Sequence, residues 1–162
     1  MTPAGGLLGA LESGGIARAM REWLWLYPGV EVAHIFGIAI LVGSVAMFDL
    51  RLLGVGRGIS VRALAKFLLP WSVGALVVIV PSGLMMFSAH ASDFIDNPAF
   101  KVKMLLLMIA GVNAGIFHTT VYQGVAAWDM QMTPPLAARA QGVFSLLLWI
   151  TIITCGRLIA YT

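Results

Sequence analysis

Four stretches of the chain are too apolar, for too long, to be anything but membrane-buried. The first runs from about Trp25 to Leu50 and has no charge between Val32 and Phe48. The second, Phe67 to about Ala91, lacks Asp, Glu, Lys and Arg altogether. The third extends from about Val102 to Gly124, and the fourth from Ala140 to Tyr161, with Arg157 near its end. A helix needs about 20 mainly apolar residues to cross the hydrocarbon core, so each stretch predicts one crossing. In lipid, backbone groups must satisfy each other, which leaves helices or a closed barrel. The period-2 alternation of a barrel strand is absent. The pattern therefore predicts an all-α integral membrane four-helix bundle, forming one membrane domain over 1–162.

The segments between the spans set their arrangement. In residues 1–22, Glu12, Arg18, Arg21 and Glu22 alternate with Leu11, Ile16, Ala17 and Met20. That mixture predicts a short N-terminal interfacial helix lying on the membrane surface. Nothing basic precedes Leu7, Leu8 and Leu11, and Gly9 and Glu12 break that run. It does not read as a signal peptide, and Met1 onward is expected in the mature protein. Trp23, Trp25 and Tyr27 suit an aromatic belt before the first span, with Trp71 and Trp128 at other predicted boundaries. The 51–66 loop holds Arg51, Arg57, Arg62 and Lys66 and no acid, whereas the loop between His90 and Lys101 holds Asp93 and Asp96. The positive-inside rule then places 51–66 in the cytoplasm and both termini in the periplasm of a bacterial inner membrane.

Composition reinforces this picture. Hydrophobic residues make up 60% and charged residues 10% of the 162 positions, against roughly 25% charge in soluble domains. So short a chain has too little interior to hide that much apolar surface from water. A bilayer is its first partner. The net charge of +3 comes without a dense Lys/Arg run, which argues against nucleic acid. Cys155 is the sole cysteine, so neither an intrachain disulfide nor a cysteine metal cluster is possible.

Chemistry is concentrated in three histidines: His34 in the first span, His90 at the end of the second, and His118 in the third. Ionisable side chains in a membrane are costly, so they are candidates for function, although a neutral histidine bonded to a backbone carbonyl is the commonplace alternative. With alternating helix directions and about 1.5 Å of rise per residue, His34 and His90 fall near the same membrane face. His118 lies far nearer the other. His34 and His90 are thus expected as the axial metal ligands of one haem b between spans one and two.

Gly37, Gly83 and Gly115 each lie on the same helix face as a histidine, with Gly111 one turn from Gly115. They would clear room for a porphyrin edge, or simply let helices approach. Pro81, followed by Ser82 and Gly83, is expected to kink span two. Arg157, Lys101 and Lys103 share the outer side, where they would pair with propionates or snorkel to the interface. His118, with Asn113 and Tyr122, would carry protons or line a quinone pocket. Met85, Met86, Met104 and Met108 make copper the competing ligand.

Several stretches resemble an uncharacterised family of small four-helix bacterial inner-membrane proteins. They are Tyr27-Pro28 with Glu31 and His34-Ile35-Phe36-Gly37; Phe48-Asp49-Leu50-Arg51-Leu52-Leu53-Gly54; Pro81-Ser82-Gly83 with His90; Ala126-Ala127-Trp128-Asp129; and Gly156-Arg157-Leu158-Ile159-Ala160-Tyr161. That likeness covers almost the whole chain and carries no established activity. A looser one, resting on His34, Arg51 and helix count, is similar to the CopD-like and HemJ-type haem b membrane proteins.

Three functions follow as expectations. The first is a b-type haem protein passing electrons, with a quinone as a possible partner. The second is a non-catalytic accessory or structural subunit, bound to other membrane subunits or to copies of itself. The third is transport of a metal ion such as copper, or of a small solute, for which four spans without an evident inverted repeat are few.

Overall fold

A computed structural model describes residues 6–161; the first five residues of the expected interfacial segment and Thr162 lie outside it. The protein is all-α. The four spans are α3 (Leu26–Leu52), α4 (Val61–Ala89), α6 (Pro98–Thr119) and α7 (Leu136–Leu158), each long and apolar enough to cross a membrane. This is a multi-pass membrane protein. Two short helices, α1 (Leu7–Glu12) and α2 (Gly15–Glu22), precede the spans, and α5 (Ala91–Asp96) links α4 to α6.

The helix starts have local causes. Ser60 accepts from the Ala63 N–H and opens α4; Asn97 accepts from the Phe100 N–H and opens α6, with Pro98 in its first turn. α4 starts at Val61, before the apolar stretch proper, because Ser60 caps it there. It then continues through both Pro70 and Pro81. The third span begins and ends earlier than its apolar stretch. The Thr120 hydroxyl bonds back to the Ile116 carbonyl at 2.6 Å, α6 ends at Thr119, and residues Val121–Ala127 form a 3-10 turn. Tyr122 therefore stands beyond the span, although its ring remains 5.5 Å from that of His118.

α3 is the hub, packed on α4 along one side and on α7 along another, while α7 also carries α6. α7 buries Ala138, Gly142, Ser145, Leu148, Ile152 and Cys155, a stripe at spacings of three and four. α4 and α6 do not pack along their lengths. They meet at one end, where Phe87 stacks on Phe100 at 5.7 Å and Phe94 leans on both. At the other end, Leu52, Val61, Phe117, Val125, Trp128 and Ala138 form a buried cluster. Trp128 is thus a core residue, 7% exposed, rather than a boundary residue. Trp23 and Trp25 are 67% and 79% exposed, as a belt requires.

The N-terminal helices dock on the rim near α5. Arg21 donates to the Ala89 carbonyl, at the end of α4, at 2.8 Å and to the Glu12 carbonyl at 2.6 Å. A cation suits the unpaired carbonyls of a helix C-terminus. Glu12 accepts from the Ser92 N–H at 2.7 Å, and that bond holds its carboxyl below the usual range.

Candidate functional site

The histidines go three separate ways. His34, on α3, is half-buried and bonded through Nδ1 to the Ser82 hydroxyl of α4 at 2.8 Å. Ser82 Oγ also lies 2.6 Å from the Val78 carbonyl and 3.1 Å from that of Ile79. A hydroxyl has one proton, and a carbonyl can only accept. The 2.6 Å contact therefore takes the serine proton, and His34 must donate its Nδ1–H to the serine oxygen. Nε2 keeps its lone pair. This is the state in which an imidazole can accept a proton or bind a metal.

His90 caps the end of α4, is exposed, and meets the Tyr27 ring edge-on at 6.1 Å. His118 bonds through Nδ1 to the Ala114 carbonyl at 2.9 Å, between the rings of Phe117 and Tyr122. Phe117 belongs to the cluster at the opposite end from His90, so the expected separation in depth is kept. Arg157 donates to the Tyr161 hydroxyl at 2.6 Å and lies over its ring at 5.0 Å. Lys103, half-buried, runs its ammonium against Gly156 of α7, where an added Cβ would stand 3.5 Å away.

The glycines decide whether a porphyrin fits. A Cβ on Gly37 would come within 2.8 Å of Ile79 Cγ1, and one on Gly83 within 3.2 Å of His34 Cε1. The clearance at Gly83 is thus filled by the histidine that was to hold the iron, and the clearance at Gly37 by a side chain of the facing helix. A cavity of about 320 Å³ does lie between α3 and α4, bordered by Phe36, Gly37, Ile40, Trp71, Gly74 and Val78. No histidine lines it. A haem held by His34 and His90 between these helices does not fit this packing.

Sequence reasoning passed over Asp49 and Asp129 and read Arg51 as a cation of the 51–66 loop. Asp49 and Arg51 are buried at 4% and 2% exposure near the end of α3. Arg51 donates to the Ile59 carbonyl at 2.7 Å and the Asp129 carbonyl at 2.8 Å, tying the 53–60 turn to the segment after the 3-10 turn. Asp129 in turn accepts from the Ser60 hydroxyl at 2.8 Å and the Arg62 N–H at 2.9 Å. Burial works against its ionisation, but these donors outweigh it and hold the carboxyl below the usual range. For Asp49 and Asp129 the signal was that they fall, with Arg51 and Trp128, in the stretches that carry the family resemblance.

Helix number, span length and an interior holding His34, Ser82 and Asp49 define a polytopic helical-bundle membrane protein with polar groups between its spans. More particularly, the chain belongs to DUF6644, a family of unknown function whose model matches residues 25–162. No curated protein and no solved structure matches the chain.

Proposed function

We propose that the protein is a non-catalytic accessory subunit of a larger assembly in the bacterial inner membrane, joined to its neighbours through α6. One observation carries this reading: α6 turns its close-packing stripe away from its own bundle. Met104, Met108, Gly111 and Gly115 follow at spacings of four, three and four and so share one face. The opposite face holds Lys103, Ala110, Asn113 and Phe117, all wholly or partly buried. A Cβ on Gly111 or Gly115 would meet nothing within 4 Å, and Met108 is 69% exposed. Phe117 is the one buried residue of α6, whereas α7 buries six.

Between helices in lipid there is no hydrophobic drive, so association rests on close contact, which small residues allow. A lipid-facing position gains nothing from glycine; a second helix does. In this reading the 51–66 loop is cytoplasmic and both termini are periplasmic, as the loop charges suggest.

The test is a photo-crosslinking residue placed at Gly111 in native membranes. A protein adduct is expected there and not at Ile150, a 61% exposed position on α7. Adducts equally frequent at both positions, or absent from both, would count against α6 as the joining face.

A second reading keeps electron transfer through haem b, with or without a quinone, and the free Nε2 of His34 is what favours it. It needs α3 and α4 to part at Gly83. A Soret band that His34→Ala removes would carry it over the first.

A further inference from the structure

We propose that Asp49 is a proton-binding site inside the membrane, and that in the packed bundle it carries the proton as a neutral carboxylic acid. The carboxyl is 4% exposed, and its Oδ2 is buried without a hydrogen-bond partner. It is set in the bundle interior, with the Ser145 hydroxyl of α7 as its hydrogen-bonding neighbour. Taking an unpaired carboxylate out of water is costly even after relaxation, so a group without a counter-ion neutralises instead.

Most of the neighbouring charges are engaged elsewhere, and of their atoms only the Nη1 of Arg51 is buried without a partner among the described residues. Arg51 gives its Nε and Nη2 to the carbonyls of Ile59 and Asp129. Asp129 is held by Ser60 and Arg62. Arg62 and Lys66 line a separate cavity with Ser60 and Tyr122, and Arg139 is exposed.

Hydrogen-bond accounting points the same way. Gln141 Oε1, on α7, is a second buried acceptor without a donor. Gln141 lies one turn before Ser145 on the same face of α7, and a Cβ on the adjacent Gly142 would lie 3.2 Å from the Asp49 carbonyl oxygen. An ionised carboxylate only accepts, so it would leave both Asp49 Oδ2 and Gln141 Oε1 without a donor. A protonated one supplies an O–H. The chemistry is a single acid–base step: a hydronium ion at the inner end breaks one of its O–H bonds, the carboxylate takes that proton on one oxygen, and water is left behind.

The experiment is infrared spectroscopy of the full chain in lipid at neutral pH. A protonated-carboxyl C=O band that shifts in deuterium oxide is expected, and Asp49→Asn should remove it while keeping the wild-type melting temperature. Asn is neutral and of the same shape, so it reproduces the protonated acid. Should Asp49→Asn fail to fold, Asp49→Glu should displace the band. Absence of the band, or a band unchanged in these variants, overturns the proposal. A melting temperature that rises with sodium in the wild type and not in Asp49→Asn also overturns it, by placing a metal cation there.

Discussion

Gly37→Leu is expected to destabilise the bundle by about 1–3 kcal/mol, the usual cost of forcing a large side chain into a packed interior. The reason is the contact between α3 and α4, where even a Cβ at this position would meet Ile79 Cγ1 at 2.8 Å and the Ala75 carbonyl at 3.5 Å. Insertion should survive, since Leu favours membrane integration. The loss should therefore be read as a lowered melting temperature in detergent or lipid at unchanged expression. The same variant separates the two functional readings. If the glycine clears space for a porphyrin, Leu expels a cofactor and lowers the haem-to-protein ratio. If it serves helix contact, stability falls with no cofactor involved. The geometry of Ile79 supports the latter outcome.

Arg51→Ala should cost more, about 3 kcal/mol. Arg51 makes two short bonds to carbonyls, at 2.7 and 2.8 Å, and hydrogen bonds from a charged group are worth about 1.5–3 kcal/mol each. Some of that is offset, because Nη1 is itself buried without a partner and the variant removes it. The damage should be local. Glycines at φ +100° and +63°, Gly54 and Gly56, shape the turn that Arg51 holds, and the turn loses its tie to Asp129. Hydrogen exchange should accelerate in 53–60 and 128–131 before it does so in the spans. Arg51→Lys should recover little, since a single ammonium cannot reproduce the forked geometry that reaches both carbonyls.

How much was legible follows from which interactions are local. Four spans could be read because a run free of charge long enough to cross a bilayer has few other uses. Their ends were harder. α4 begins at a serine cap whose carboxylate partner, Asp129, lies 69 residues further on. α6 stops where a threonine hydroxyl competes for the backbone, which hydropathy does not register. The three histidines stood out by rarity, but their environments did not. The Ser82 that fixes the His34 ring is 48 residues away.

The glycines were visible as small residues, yet spacing along one helix does not say what lies opposite. Gly83 faces an imidazole, Gly37 an isoleucine, and Gly115 nothing of its own chain. Asp49 was missed for a similar reason. Near the end of an apolar run an acid reads as a boundary marker, and only the packing of α7 over it shows that it is buried.

The reading of α6 as a joining face is tested most directly by the mass of the particle extracted from native membranes with its lipids. The wild type is expected in particles whose protein mass exceeds that of one 17.3 kDa chain. A Gly111→Leu/Gly115→Leu variant, still inserted, is expected to fall to the mass of a single chain. A wild type already at that single-chain mass, or a variant that stays in the larger particle, would contradict it.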